Sequence, residues 1–282
     1  MEGIITKNIS NDYVVVSNGK EYNCKARGKI KYNNIVPLVG DIVSFDEKTN
    51  YILDIKKRKN FLIRPSVSNV DQAIIVTSVK HPNLDLNLLD RLLTIISYNN
   101  IVPIICFTKM DLLNDWEKET INKYVKYYSD IGYKVYLNDD IERLKKVFKD
   151  KLTVFTGQSG AGKSSLLNKL DSSLELKTNE ISYSLGRGKH TTRHVELFKM
   201  EGGYVVDTPG FSSVDFRNMS KLDIRDNMRE MFEYLDGCKY RDCLHIKEDG
   251  CYVRELVDNG IILKDRYDNY KGFINEKDKG VR

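Results

Sequence analysis

The sequence predicts a multidomain protein in three parts: an N-terminal all-β barrel of the OB type over residues 1–66, a central α/β domain over 67–216, and a C-terminal, mainly helical metal-binding module over 217–282. Three observations predict it. Short segments rich in β-branched and aromatic residues, separated by turn residues, fill the first part. Beyond Pro65, apolar strand-like runs alternate with segments of helical periodicity. In the last part Cys238, Cys243, His245 and Cys251 crowd into one short window.

The barrel rests on "GIITKNI", "YVVVS", "EYNCKAR", "DIVSFD" and "YILDIKK". Turn signals lie between them: Ser10-Asn11-Asp12, Asn18-Gly19, and Pro37 with Gly40. Five short strands imply a small barrel. The OB fold is five-stranded and often binds oligonucleotides, and an SH3-like barrel would leave a similar pattern. Charge points the same way. Residues 1–66 hold 12 Lys and Arg against 7 Asp and Glu, while the other residues balance at 33 of each sign. This part therefore carries the whole net charge of +5, an electrostatic footprint for an anionic partner such as nucleic acid. The run Lys56-Lys57-Arg58-Lys59 fits RNA phosphates or, equally, a solvated strand end.

The α/β part begins with "QAIIVTSV", an apolar run typical of a strand buried on both faces. "LDLNLLDRLLTIISY" then places Leu88, Leu89, Leu92, Leu93 and Ile96 at helical spacing. "IVPIICFT" is a second strand. "DWEKETINKYVKYYSDIG" is a helix with acids in its first turn and Gly132 at its end. "YKVYL" is a third strand, "DIERLKKVFK" a third helix and "KLTVFTG" a fourth strand. This alternation implies a mostly parallel sheet with helices on both faces. After Phe216 the pattern is mainly helical, and the polar end "NEKDKGVR" is expected to fray. With 41% hydrophobic and 30% charged residues the chain suits a globular protein. No apolar run approaches the roughly 20 residues of a membrane helix, so no membrane partner is expected. "MEGIITKNIS" has no secretory pattern, and the cytoplasm is the expected location.

Gly157-Gln158-Ser159-Gly160-Ala161-Gly162-Lys163-Ser164 matches the phosphate-loop pattern, with Ser165 following. A buried strand precedes it and the helix "KSSLLNKL" follows. The glycines let successive N–H groups turn toward phosphates, and the helix N-terminus favours anions. Lys163 is placed to neutralise the β- and γ-phosphates and Ser164 to hold Mg²⁺.

Three further features select GTP over ATP. Asp207-Thr208-Pro209-Gly210 is a D-x-x-G at the end of the strand "GYVVD", with Asp207 suited to the Mg²⁺ shell and Gly210 to the γ-phosphate. Thr108-Lys109-Met110-Asp111 ends the strand "IVPIICFT". The Asp111 carboxylate can accept from guanine N1–H and the 2-amino group, a donor pair that adenine lacks, while Lys109 lies along the base plane. The first residue of such a motif is usually Asn, and Thr108 offers only a hydroxyl in its place. Alone, the segment could be a strand-to-helix turn whose Asp caps the next helix. Finally, Gly186-Arg187-Gly188-Lys189-His190-Thr191-Thr192-Arg193 suits a switch segment in which Thr191 or Thr192 reaches Mg²⁺.

The motif order, with "TKMD" before "GQSGAGKSS", then "GKHTTR", then "DTPGF", resembles that of the RsgA family, the circularly permuted GTPases that act on the small ribosomal subunit. The resemblance spans nearly the whole chain. It implies a central, circularly permuted P-loop GTPase domain between an RNA-binding OB barrel and a zinc module. It also implies a monomer that binds the small subunit, its rRNA and GTP or GDP, with slow intrinsic hydrolysis stimulated by the subunit. Permutation is physically sound, because chain ends in α/β domains often lie close together and the site depends on loops at strand ends. Phe211 occupies the position of the water-orienting glutamine of Ras-like enzymes, so the resemblance points to His190 as the catalytic group. Leu137-Asn138-Asp139 stands where a Ser-Ala-type guanine motif is expected. Two other readings remain open on the sequence: an RNA-binding scaffold with a structural nucleotide site, and a permuted GTPase with another RNA target.

Cys238, Cys243, His245 and Cys251 supply three thiolates and an imidazole, a complete tetrahedral set for one structural Zn²⁺ with no open position for catalysis. Lys239, Arg241 and Lys247 beside it are offset by Asp242, Glu248 and Asp249. Cys24 and Cys106 stand alone in strand-like contexts and are read as inert.

Overall fold

The computed structural model describes residues 1–9, 12–26, 36–63, 65–172, 195–206 and 215–279. The chain forms two compact units, one comprising Met1–Ile74, Asp139–Thr156 and Gly162–Ser212, the other Ile75–Asn138, Gly157–Ala161 and Ser213–Arg282.

In the first unit, β1 (Glu2–Ile9), β2 (Asp12–Ser17), β3 (Lys20–Ala26), β4 (Ile42–Asp46) and β5 (Tyr51–Ile55) form a closed barrel in the order β1-β2-β3-β5-β4. Antiparallel pairing of β1 with β4 closes it, and β3 meets β5 in parallel. This order is that of the OB fold and decides between the two barrels the sequence allowed. Alternation sends Ile5, Tyr13, Val15, Cys24, Val43, Phe45 and Ile52 inward.

The basic run after β5 is not a free cationic stripe. Lys56 pairs with Glu2 at 2.7 Å, Lys59 pairs with Asp71, and Arg58 grips Asp41 through Nε and a terminal nitrogen at 2.7 Å each. Asp41 is fully buried and also accepts from the Ser68 hydroxyl at 2.6 Å and the Leu38 amide at 2.8 Å. Three of the four cations are thus spent on carboxylates, and Arg58 fastens the barrel to the short hairpin of β6 (Phe61–Leu62) and β7 (Val67–Ser68).

The same unit contains most of β11 (Leu152–Gly157), with β12 (Leu197–Met200) and β13 (Gly203–Val206), in the order β11-β13-β12. β11 and β13 are parallel, whereas β12 is an antiparallel edge strand. Glu201 and Gly202, both at positive φ, make its two-residue turn. The helix α3 covers only Ile141–Lys145, shorter than the pattern suggests. Phe148 must leave the helix to stack on Phe155 at 6.1 Å, and its carbonyl abuts Gly203 so closely that a Cβ there would sit 1.9 Å away. The helix α4 spans Lys163–Leu170.

The second unit holds most of β8 (Gln72–Ser78), with β9 (Val102–Thr108) and β10 (Lys134–Leu137), in the order β10-β9-β8. α1 (Leu86–Tyr98) buries Leu89, Leu92, Leu93 and Ile96 and is capped by Asp85, which accepts from the Leu88 amide at 2.9 Å. α2 spans Asp115–Asp130, and α5 (Lys221–Asp226), α6 (Arg229–Glu233), α7 (Tyr252–Asp258) and α8 (Lys264–Lys279) follow. Arg266 of α8, only 1% exposed, bonds Asp90 of α1 and Glu230 of α6, both fully buried. Tyr128 of α2 donates to Asp90 at 2.6 Å, and Tyr127 donates to Glu230 at 2.9 Å. One ionic cluster therefore ties four helices together.

Among the described residues, helix continues into the polar tail where its polarity suggests fraying. α8 runs on to Lys279 because Glu276 pairs with Arg91, the Lys277 ammonium donates to the Phe216 carbonyl at 2.9 Å, and Asp278 pairs with Lys221. Among the described residues no helix is long and apolar enough to cross a membrane.

Candidate nucleotide site and metal centre

The glycine-rich loop joins β11 to α4 as a strand-to-helix turn. Gly157, at φ 128°, passes so close to β8 that a Cβ would meet the Val76 carbonyl at 2.0 Å. Only glycine fits there. Gly162, at φ 92°, starts α4 from a left-handed conformation and leaves the helix N-terminus without a side-chain cap. Lys163 opens that helix, and burial holds its ammonium below the usual lysine range. An anion would reverse that effect. Ser164 is buried on the next position.

Thr108 and Lys109 both reach this loop. The Thr108 hydroxyl donates to the Ala161 carbonyl at 2.6 Å. Lys109, at φ 64°, donates from its ammonium to the Gly160 carbonyl at 2.9 Å and to the His81 carbonyl. The hydroxyl that replaces the usual amide at position 108 thus still binds the phosphate loop to the end of β9. Asp111 lies on an exposed 3₁₀ turn, Met110–Leu112. It is not the cap of α2. That role belongs to Asn114, which forms a capping box with Glu117: its side chain accepts from the Glu117 amide at 2.9 Å, and Glu117 accepts from the Asn114 amide at 2.9 Å. The Asp111 carboxylate takes no part in that capping box. In the segment that replaces the expected Ser-Ala motif, the Asn138 amide is spent on the Phe107 carbonyl at 2.9 Å.

His190, Thr191 and Thr192 with the rest of the switch segment, and Asp207 through Phe211, lie outside the described residues, as does His194. β13 ends at Val206, immediately before Asp207.

The four metal-ligand candidates converge in the second unit, with all their donor atoms within 4.8 Å of one another. The His245 Nδ1 stands 3.5 Å from the Cys238 sulfur and 3.4 Å from that of Cys251. Its Nε2 lies 2.9 Å from the Met231 carbonyl, so it carries the proton and donates there. That bond fixes the tautomer and turns the Nδ1 lone pair to the sulfurs, the usual support of a metal-bound imidazole. Burial pushes the Cys243 thiol up to about 12 and holds His245 below its ordinary range. A soft cation would offset the cost of buried thiolates, and the donor set fits one. All five cysteines are unbridged, and Cys24 and Cys106 are buried in β3 and β9.

Sequence reasoning missed the frame of this loop. Glu248, read as an offsetting surface charge, accepts from the amides of Leu244, Ile246 and Lys247 at 2.8–2.9 Å. Tyr267 and Tyr270 of α8 donate to the carbonyls of His245 and Leu244. An acid between His245 and Cys251 was the available signal.

Comparison with known proteins adds likenesses of three kinds. The family model described as RsgA GTPase matches residues 55–217, and that of the RsgA N-terminal domain matches residues 2–52. A small ribosomal subunit biogenesis GTPase of Bacillus velezensis is 49% identical, covering 98% of this chain and 97% of its own. One from Bacillus subtilis is 46% identical, covering 100% and 99%. The crystal structure of YloQ, a circularly permuted GTPase, superposes with a TM-score of 0.86 at 41% identity, covering all of this chain and 96% of its own.

Proposed function

The chain belongs to the RsgA GTPase family, and from that premise we propose that it is a GTP-hydrolysing switch that binds the small ribosomal subunit and its rRNA and acts late in that subunit's assembly. The observation that carries the reading is the clasp of Thr108 and Lys109 on Ala161 and Gly160. It joins a guanine-type loop to a phosphate loop that comes after it in the chain, the arrangement expected of a permuted GTPase.

In this reading residues 1–66 hold rRNA, 67–216 hold GTP or GDP, and 217–282 present a zinc-stiffened helical surface. Gly157 to Ser165 cradle the phosphates, and Lys163 neutralises the β- and γ-oxygens. Asp111 accepts from the guanine edge, flanked by Thr108, Lys109 and Met110. Ser164, one of Thr191 or Thr192, and Asp207 hold the magnesium that accompanies the nucleotide, with Gly210 at the γ-phosphate. Bound Mg²⁺ supplies charge neutralisation on the transferred phosphoryl group. His190 orients the attacking water and takes its proton. Cys238, Cys243, His245 and Cys251 hold one Zn²⁺, which supplies a covalent tie and no catalysis. The protein works as a cytoplasmic monomer.

Turnover of GTP and of ATP, each with and without purified small subunits, tests this. GTP is expected to be hydrolysed slowly alone and much faster with subunits, and ATP in neither case. Equal rates in all four conditions would leave the scaffold reading. His190→Ala is expected to lose about a hundredfold of the stimulated rate, the usual size of a general-base contribution. Unchanged stimulation in that variant would remove His190 from the mechanism.

A further inference from the structure

The segment that follows β8 is stitched to the guanine-type loop at both ends of that loop. At its start, the Val79 amide donates to the Thr108 carbonyl at 3.2 Å, and the His81 carbonyl receives the Lys109 ammonium. Past its far end, the Lys80 ammonium bonds both oxygens of Glu117, at 2.8 and 2.9 Å. The Lys80 carbonyl is itself pinned by the Ser78 hydroxyl at 2.8 Å.

Glu117 is also the acid of the capping box that starts α2. One carboxylate thus fixes the first turn of α2 and takes the cation from the neighbouring loop. Asp111 sits between these anchors. The chain before it is held at Thr108 and Lys109, and the chain after it is held at Asn114 and Glu117. An exposed 3₁₀ turn of three residues has little rigidity of its own, and discrimination by a carboxylate depends on where its oxygens are held.

We propose that Lys80 is a positioning residue for base specificity: its ion pair with Glu117 braces the Asp111 loop against the segment after β8, so that the carboxylate meets the guanine 2-amino group as well as N1–H. This rests on the reading of Asp111 as the guanine acceptor. The pair is part-exposed, at 30% and 29%, so its effect is modest and sensitive to salt. Glu117 stands below the usual carboxylate range, chiefly because of the Lys80 hydrogen bond and the Asn114 amide, and the brace therefore holds throughout the neutral range.

Binding of GDP and of IDP, which lacks the 2-amino group, to the full-length protein separates this role from general support of the fold. Lys80→Met is expected to lower the GDP-over-IDP preference about fivefold, the size of a part-exposed ion pair, with an unchanged melting temperature. Lys80→Arg should restore the preference. Glu117→Gln breaks the same pair from the other side and should reproduce the shift. An unchanged preference in both Lys80→Met and Glu117→Gln, or equal weakening of GDP and IDP, would overturn the brace. Asp111→Asn serves as the reference. If it too leaves the preference unchanged, the guanine reading itself falls; if it abolishes the preference while the Lys80 and Glu117 variants do not move it, only the brace falls.

Discussion

Replacing Arg266 with Met is expected to destabilise the second unit by about 3–5 kcal/mol, the cost of leaving a buried charge without its partner. The side chain is 1% exposed and bonds Glu230 through Nε and a second nitrogen, the latter at 3.0 Å, and Asp90 through the third. Its guanidinium also lies over the rings of Tyr128 and Tyr133, at 5.4 and 5.8 Å. Met fills most of the volume but leaves two buried carboxylates facing tyrosine hydroxyls. In the native protein, burial pushes Glu230 up, but the Arg266 charge and hydrogen bonds outweigh it and hold the carboxyl below its ordinary range. A depressed native pKa contributes stability that is present above the unfolded value and is lost as the pH falls. In the variant the sign reverses for Glu230, since its desolvation is no longer outweighed, while Asp90, which burial already raises in the native protein, loses the opposing Arg266 charge. Stability is then lost as the pH rises through their folded values. The deficit measured by urea unfolding should therefore shrink from pH 7 to pH 5. A variant as stable as the native protein at pH 7 would mean that the helices are held by apolar packing alone.

The same cluster marks where sequence reading stopped. Asp90 interrupts an apolar helical face, Glu230 lies in a short polar helix and Arg266 in a helix of low hydropathy. None of the three looks buried until the helices meet, because the pairing is long-range and carries no local pattern. The elements with a period were legible. The five barrel strands, β8, β9, β11, α1 and α2 all lie where alternation, apolar runs or helical spacing put them. The glycine-rich loop and the Cys/His window were legible because their chemistry demands particular residues at particular spacings. Elements set by their surroundings were not. β12 is a four-residue edge strand defined by its turn with β13, and α8 extends through "NEKDK" because partners on other elements take its charges. The basic run Lys56 to Lys59 stayed open on the sequence for the same reason: a sequence shows cations, but Glu2, Asp41 and Asp71 come to them only in three dimensions. Thr108 is the instructive intermediate. Its departure from Asn was visible, yet the 2.6 Å reach of its hydroxyl to the Ala161 carbonyl shows only in three dimensions.

Loss of zinc is expected to have the larger structural effect. Metal analysis of the purified protein should find one zinc per chain. Cys243→Ser should lose it, whereas Cys24→Ser, which removes a thiol buried in the barrel, should retain it. Structural zinc contributes about 10–16 kcal/mol of binding free energy in small peptides, far more than any single contact here could replace. The loop from Cys238 to Cys251 follows a short 3₁₀ turn, Leu235–Gly237, has no helix or strand of its own, and is held by Glu248, Arg225, two tyrosines and the ligands themselves. Without the ion, three thiols and a neutral imidazole remain packed together, with burial raising Cys243 and Cys251. They then contribute weak hydrogen bonds at 3.4–4.0 Å in place of metal bonds. The loss should spread along defined routes. Cys251 is the residue before α7, and the carbonyls that Tyr267 and Tyr270 bond belong to the loop, so α7 and the middle of α8 lose their anchor. Amide exchange after chelation should thus rise first in Cys238–Asp258 and then around Tyr267–Tyr270. Protection in the barrel strands β1–β5 should persist, because no ligand comes from that unit. Full zinc occupancy in Cys243→Ser, or unchanged exchange in that loop after chelation, would reduce the cluster to ordinary buried cysteines.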